Sequence, residues 1–341
     1  MDILQLKEDR RYAYGVSRVR ALELKLLDRA NLAQLAQAQS LDELLHLLGD
    51  FGYGHLSSGV SSGGEWDKLL QQEYRETIVL LEQLLEEPKL IRALRIRDDF
   101  HNLKVFLKAR LSGRKTEVGF KINGLMELKD MGEAIEQQRF ELLIPPLQTA
   151  ARAALAAFSR FEQPQYLEMA IDKEMYRAIL TELTGTKNMF LVKLVRTEID
   201  LINIKAFLRL CWRRAELEEM RFALTENGYL DRDFFCSIYS PGEPLETLPP
   251  HFRYTDYADL IKHGVSYLIS DNSFARLEKL ADDHLGELLR RTKLVTLGVE
   301  PIVAYGLARK NELRLLNFLI VAKLNKLPQP VIEEGLPDVY L

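Results

Sequence analysis

Three stretches of the chain share one spacing of apolar residues: Phe100, Leu103, Leu107 and Leu111; Leu201, Ile204, Leu208 and Trp212; Leu313, Leu316, Ile320 and Leu324. Steps of three and four residues put each set on one face of a helix. The polar positions between them recur as well. Asp99-Phe100-His101-Asn102-Leu103-Lys104-Val105-Phe106-Leu107 returns 101 residues later as Asp200-Leu201-Ile202-Asn203-Ile204-Lys205-Ala206-Phe207-Leu208. A third copy, offset by 112, runs Glu312-Leu313-Arg314-Leu315-Leu316-Asn317-Phe318-Leu319-Ile320. It keeps the leading acid and the stripe, but Leu315 stands in place of the asparagine and Asn317 in place of the lysine. The third copy is a structural match more than a chemical one.

Helical patterning extends beyond the repeat. It runs from Tyr12 to Leu48, where Ser40-Leu41-Asp42-Glu43 reads as a capping box that starts a helix near Leu41, serine and glutamate satisfying each other's free backbone donors. The amphipathic stretch Trp66 to Glu87 leads through Pro88 into the first repeat helix, which ends at Ser112-Gly113. Leu167 to Leu183 lies 101 residues after the Trp66 region, with Glu174 opposite Glu73, so two consecutive helices are repeated. Ser57 to Gly64 reads as a flexible surface loop, because glycine and serine raise the entropic cost of ordering. Pro241 to Pro250 reads as an extended loop, since proline fixes φ and removes donors. No sustained period-two alternation flanked by hairpin turns occurs, so the expected fold is all-α. A period near 100 residues is longer than the roughly 20 to 50 residues of solenoid repeats. It predicts three similar helical domains, 1–112, 113–216 and 217–341, in a pseudo-threefold arrangement.

The 341 residues are 47% hydrophobic and 28% charged, enough for more than one core. A formal charge of −4, from 46 basic and 50 acidic residues, gives no electrostatic reason to expect nucleic acid as partner. The basic runs Arg92 to Arg97 and Arg290-Arg291 are interleaved with acids and read as solvated helix faces or ion-pair partners. Two cysteines, Cys211 and Cys236, lack metal-like spacing and match a reducing compartment. The N-terminus has neither the basic start nor the apolar core of a signal peptide. No run reaches the roughly 18 uncharged apolar residues of a membrane span. A soluble protein able to sit on a membrane complex is therefore expected.

Candidate chemistry is sparse. Asp98, Asp99 and His101 form one acidic-histidine cluster, and Asp282, Asp283 and His284 another. Both hold metal-ligand residue types, but neither has the order or the further histidines of an all-α phosphohydrolase, and the chain has only 6 histidines. No G-x-x-x-x-G-K-[ST] loop and no serine nucleophile elbow occur. The expectation is a non-enzyme with no catalytic residue, metal or cofactor. Asp99 with Asn102, and Asp200 with Asn203, share a helix face at i and i+3. Each pair forms a contact surface for another body, or bonds to the backbone at the end of an adjacent helix in its own domain. Repetition in each unit favours the second. Asp99, Asn102, Lys104, Asp200, Asn203, Lys205, Glu312 and Arg314 are thus the candidate structural or partner contacts. Arg18, Arg20, Arg92, Arg95 and Arg97 either face acidic helices or lipid head groups, or are ordinary helix-surface residues.

With its flanks, the repeat resembles the C subunit of the A/V-type rotary ATPases, the bacterial and archaeal counterpart of the eukaryotic d subunit. The resemblance runs from Tyr12-Ala13-Tyr14-Gly15-Val16-Ser17-Arg18-Val19-Arg20-Ala21-Leu22-Glu23 through Gly52-Tyr53-Gly54 and the two Asp-x-x-Asn-[Leu/Ile]-Lys helices. It continues through Gly298-Val299-Glu300-Pro301-Ile302-Val303-Ala304-Tyr305, Asn311-Glu312-Leu313-Arg314 and Lys323-Leu324-Asn325-Lys326-Leu327-Pro328. Order, spacing and total length carry it over nearly the whole chain. In the last repeat the family usually has asparagine and arginine where this chain has Leu315 and Asn317. The resemblance implies a funnel of three similar helical domains, seated on the membrane ring of proteolipid subunits and receiving the end of the central axle. It implies a non-catalytic central-stalk part, coupling ATP hydrolysis or synthesis to proton or sodium transport, peripheral on the cytoplasmic face of the membrane. The rival reading is a helical scaffold subunit of another cytoplasmic assembly.

Overall fold

A computed structural model describes residues 8–57, 65–113, 119–337 and 340. Most of the glycine-serine loop expected at Ser57 to Gly64 lies outside the described residues. The described residues form helices and turns with no strand among them, an all-α fold. They gather into two compact units. One joins the two ends of the chain, Met1–Leu85 and Ser240–Leu341; the other is the continuous middle, Glu86–Tyr239.

The middle unit is built on three long helices, α5 (Pro88–Ser112), α8 (Pro164–Thr184) and α9 (Met189–Trp212). Proline opens α5 and α8, where the missing N–H would have had no helical partner. Asn188 opens α9 by accepting from the Leu191 N–H at 2.9 Å. Gly113, at φ 67°, closes α5 in the left-handed conformation that favours glycine. Between them come α6 (Leu128–Glu136) and α7 (Pro145–Phe161), and after α9 the short α10 (Leu217–Ala223) and α11 (Arg232–Ile238). Helix α8 packs on α5, α7 and α9. Its seam with α5 is charged: Arg92, Lys104 and Lys108 of α5 pair with Glu182, Asp172 and Glu168 of α8, an antiparallel ladder of one sign on each helix.

The unit made from the chain ends holds α1 (Ala13–Glu23), α2 (Arg29–Gln37), α3 (Leu41–Leu48) and α4 (Trp66–Leu84) from the start of the chain. From its end come α12 (Ala258–Asp271), α13 (Ala275–Arg290), α14 (Glu300–Leu324) and α15 (Gln329–Glu334). Helix α14 lies against α1, α3 and α4. At Gly306 it runs so close to α4 that a Cβ would stand 2.5 Å from Leu81 Cδ1.

Two local expectations are revised. Ser40 caps α3 through the Glu43 N–H at 3.1 Å, but the Glu43 carboxylate accepts from Gln39 N–H at 2.7 Å, one residue beyond the expected capping box. The reciprocal box forms instead between Asp28 and Asn31 at the start of α2. The proline-rich passage is not wholly extended: 3₁₀ turns at Leu245–Thr247 and Pro249–Phe252 fold it back and bury Leu245, Leu248 and Phe252.

Candidate functional site

The three repeat helices are α5, α9 and α14. In each, the first three stripe residues are core: Phe100, Leu103 and Leu107; Leu201, Ile204 and Leu208; Leu313, Leu316 and Ile320 are all buried. The fourth is not. Leu111, Trp212 and Leu324 are 39%, 42% and 40% exposed, the same position left open to the same degree in all three repeats.

The polar residues turn inward. The Asp99 carboxylate accepts from the N–H groups of Leu125 at 2.7 Å and Met126 at 3.0 Å, just ahead of α6. Asn102 donates to the Lys121 carbonyl and accepts from its N–H, both at 2.8 Å. Arg95 donates to the carbonyls of Asn123 and Gly124 at 3.0 and 2.6 Å. Together the three residues bracket the loop segment 121–126. The second copy matches it residue for residue: Asp200 accepts from Tyr229 and Leu230, Asn203 exchanges two bonds with Thr225, and Arg196 donates to Asn227 and Gly228. The loop ahead of α11 thus repeats the loop ahead of α6. Each loop passes its acid through a glycine. A Cβ on Gly124 would lie 2.3 Å from Asp99 Oδ1, and one on Gly228 2.1 Å from Asp200 Oδ1.

In α14 the acid keeps its place and changes its company. Glu312 accepts from the Leu27 N–H at 2.5 Å, ahead of α2, and also from the Tyr53 hydroxyl and from Arg309 at 2.6 Å. Arg309 reaches on to Glu73 at 2.5 Å. Ala308 and Leu315 stand where Arg95 and Asn102 stand in the first copy.

Burial sets the electrostatics of these brackets. It lifts the Asp99 carboxyl to about 6, against the two backbone bonds that favour its charge. Burial also raises the carboxyls of Glu312 and Glu73 and lowers Arg309 below the ordinary arginine range.

The remaining candidates are scattered. Lys104 leaves the bracket for Asp172 at 2.5 Å, and Lys205 is half-buried. Arg314 donates to Asp282 on α13 and to Asn311 on its own helix. Of the five arginines, Arg92 pairs with Glu182 and Arg97 with Glu198, Arg95 holds its loop, and Arg20 donates to Glu23 and to the Thr292 carbonyl. Arg18 is exposed on α1, 3.4 Å from the Tyr14 hydroxyl. His101 meets the Gly119 carbonyl at 2.7 Å, so the first acidic-histidine cluster is divided among separate partners. Among the described residues no group of three or more His, Cys, Asp or Glu could hold a metal ion, and no helix is long and apolar enough to cross a membrane.

Sequence reasoning missed Arg95 and Arg196 as bracket members, together with the glycines they clasp. The signal was present: Asn123-Gly124 returns as Asn227-Gly228, offset by 104 instead of 101, because the intervening loop is three residues longer. Likewise Leu27-Asp28-Arg29 is the same tripeptide as Leu230-Asp231-Arg232.

Comparison with known proteins places these features. Residues 16–335 match the family described as ATP synthase (C/AC39) subunit. The C subunit of the V-type sodium ATPase of Enterococcus hirae is 24% identical over 327 residues, covering 94% of this chain and 97% of the relative. The C subunit of the A-type ATP synthase of Pyrococcus furiosus is 22% identical, over 91% of this chain and 85% of its own. That of Methanocaldococcus jannaschii is 24% identical, over 93% and 84%.

Proposed function

Because this chain belongs to the ATP synthase (C/AC39) subunit family, we propose that it is a non-catalytic connector in the central stalk of a rotary ATPase, joining the axle of the ATP-handling head to the proteolipid ring. It works peripherally, at the cytoplasmic face of the membrane, and its movement couples ATP turnover to proton or sodium transport. In this reading the repeats 1–112, 113–216 and 217–341 act as three similar domains of a pseudo-threefold funnel.

The observation that carries the proposal is the recurrence of one exposed apolar position, at Leu111, Trp212 and Leu324. An isolated exposed leucine needs no explanation, but the same position left open in three repeats supports a surface presented by each to a common partner. The polar residues that could have formed a reaction site, Asp99, Asn102, Asp200, Asn203 and Glu312, are engaged in holding loops. Such brackets stiffen a domain, and a part that transmits torque requires stiffness.

The test is co-purification from native detergent-solubilised membranes with a tag on this chain. Recovery of axle subunits, head and a proteolipid is expected. The triple variant Leu111→Ser, Trp212→Ser, Leu324→Ser should fold yet recover less of them. Recovery of no ATPase subunit by the wild-type chain, from membranes shown to contain the intact complex, would overturn the proposal.

A further inference from the structure

The outward side of α1 is apolar and cationic. The exposed residues of α1, Ala13, Tyr14, Ser17, Arg18 and Ala21, and the exposed Leu24 and Lys25 that follow it, include no acid. They recur at three- and four-residue steps, so they form one continuous face. Tyr14 is 68% and Leu24 85% exposed. Beside the end of α1 lies the turn Arg291–Leu294, where Leu294 is 84% exposed and follows the exposed Lys293.

A buried network locks these two turns together. Arg20 donates to the Thr292 carbonyl at 2.8 Å and to Glu23 at 2.8 Å. Tyr340 donates to Glu23 at 2.9 Å and meets the Thr292 hydroxyl at 3.2 Å. Glu23 therefore points inward and is only 6% exposed. The acids next along the chain are also engaged, Asp28 with the Asn31 N–H and Glu287 with Arg291. What faces outward is two leucines and a tyrosine among Arg18, Lys25 and Lys293.

We propose that this face rests on an anionic lipid bilayer, with Leu24 and Leu294 entering the headgroup layer and Arg18, Lys25 and Lys293 pairing with lipid phosphates. Charge complementarity selects this occupant: Arg18 and Lys25, with Lys293 beside them over the Tyr340 ring at 5.0 Å, are cations on long, flexible stems next to apolar residues and match a negatively charged interface. The leucines project from two turns and line no groove, so they suit a fluid layer that needs no matching shape. Because the turns are already fixed by the Arg20 network, insertion orders little that was loose.

The test is sedimentation of the purified full-length chain with vesicles of phosphatidylcholine, alone or with about a third phosphatidylglycerol. Binding to the anionic vesicles only, weakened by added salt, is expected. Lys25→Gln with Lys293→Gln should weaken it roughly 30-fold, about fivefold for each charge. Leu24→Ser with Leu294→Ser should weaken it about tenfold, while Val331→Ser, also on the surface, changes nothing. Circular dichroism and the thermal midpoint check that each variant folds. A wild-type chain that stays in the supernatant with anionic vesicles overturns the proposal whatever the variants do. So do equal binding to both vesicle types, and capture of an acidic protein through these leucines without vesicle binding.

Discussion

The Asp99 and Glu312 brackets do the same job over very different lengths of chain. Asp99 holds a loop 26 and 27 residues downstream, and Asp200 one 29 and 30 residues downstream. Glu312 holds Leu27, 285 residues away, at the other end of the chain. Closing a longer loop costs more entropy, though only logarithmically, so the last repeat bears a modest penalty for a borrowed loop. It compensates with stronger chemistry. Where the middle repeats use asparagine and arginine on backbone groups, the last uses a tyrosine hydroxyl and a half-buried arginine that is itself tied to Glu73. The position of the acid is what the repeats share; the partners adapt to what the chain can deliver.

Glu312→Ala should have the largest effect. It strips a buried carboxylate from Arg309 and leaves the Leu27 N–H and the Tyr53 hydroxyl without that acceptor, a loss of about 3–5 kcal/mol. Urea unfolding should report it, with amide-exchange protection lost around Leu27 and kept on α5. Asp99→Ala should cost about 3 kcal/mol and do the reverse, exposing Leu125 and Met126 to exchange while Leu27 stays protected. Equal loss of protection at both places in either variant would mean that the brackets are not separate devices.

The same carboxyl makes stability depend on pH. Asp99 sits near 6 in the fold against 3.8 unfolded, so between these values the folded chain holds the proton that the unfolded chain has released. Its contribution is full below about pH 4, falls as pH rises through 6, and is level above, a change of up to about 3 kcal/mol. Denaturant midpoints of the wild type and Asp99→Asn, compared across that window, should show a shallower slope in the variant, the remainder coming from the other raised carboxyls such as Glu312 and Glu73. Gly124→Ala and Gly228→Ala should each cost about 2 kcal/mol by driving a methyl against the bracket carboxylate. Smallest is Lys104→Ala, about 0.5 kcal/mol in thermal melts, since its pair with Asp172 is partly open to water.

The helices and their inward faces were legible because burial imposes a three-to-four spacing, and Phe100, Leu103 and Leu107 obey it. The open fourth position was not, since the same spacing places Leu111 on that face without saying where the covering layer ends. The Asp99–Asn102 pair was legible as a repeated device, but not the hold of Arg95 on Gly124. That requires knowing that the loop is three residues longer in the second copy. The partner of Glu312 was hidden most deeply: no local pattern links Leu27 to a helix at the far end of the chain, and only the echo of Leu27-Asp28-Arg29 in Leu230-Asp231-Arg232 hints at it.

The reach from Glu312 to Leu27 also bears on how the protein is made. At ordinary synthesis rates the start of the chain leaves the ribosome some tens of seconds before α14 does. The middle unit, continuous in sequence, can close its brackets during that interval. Meanwhile α1 to α4 wait with the surface they will give to α14 uncovered, which makes them the segment that a chaperone would have most reason to shelter. A stalled or truncated chain lacking α14 would carry a finished middle and an N-terminal end with nothing to fold against.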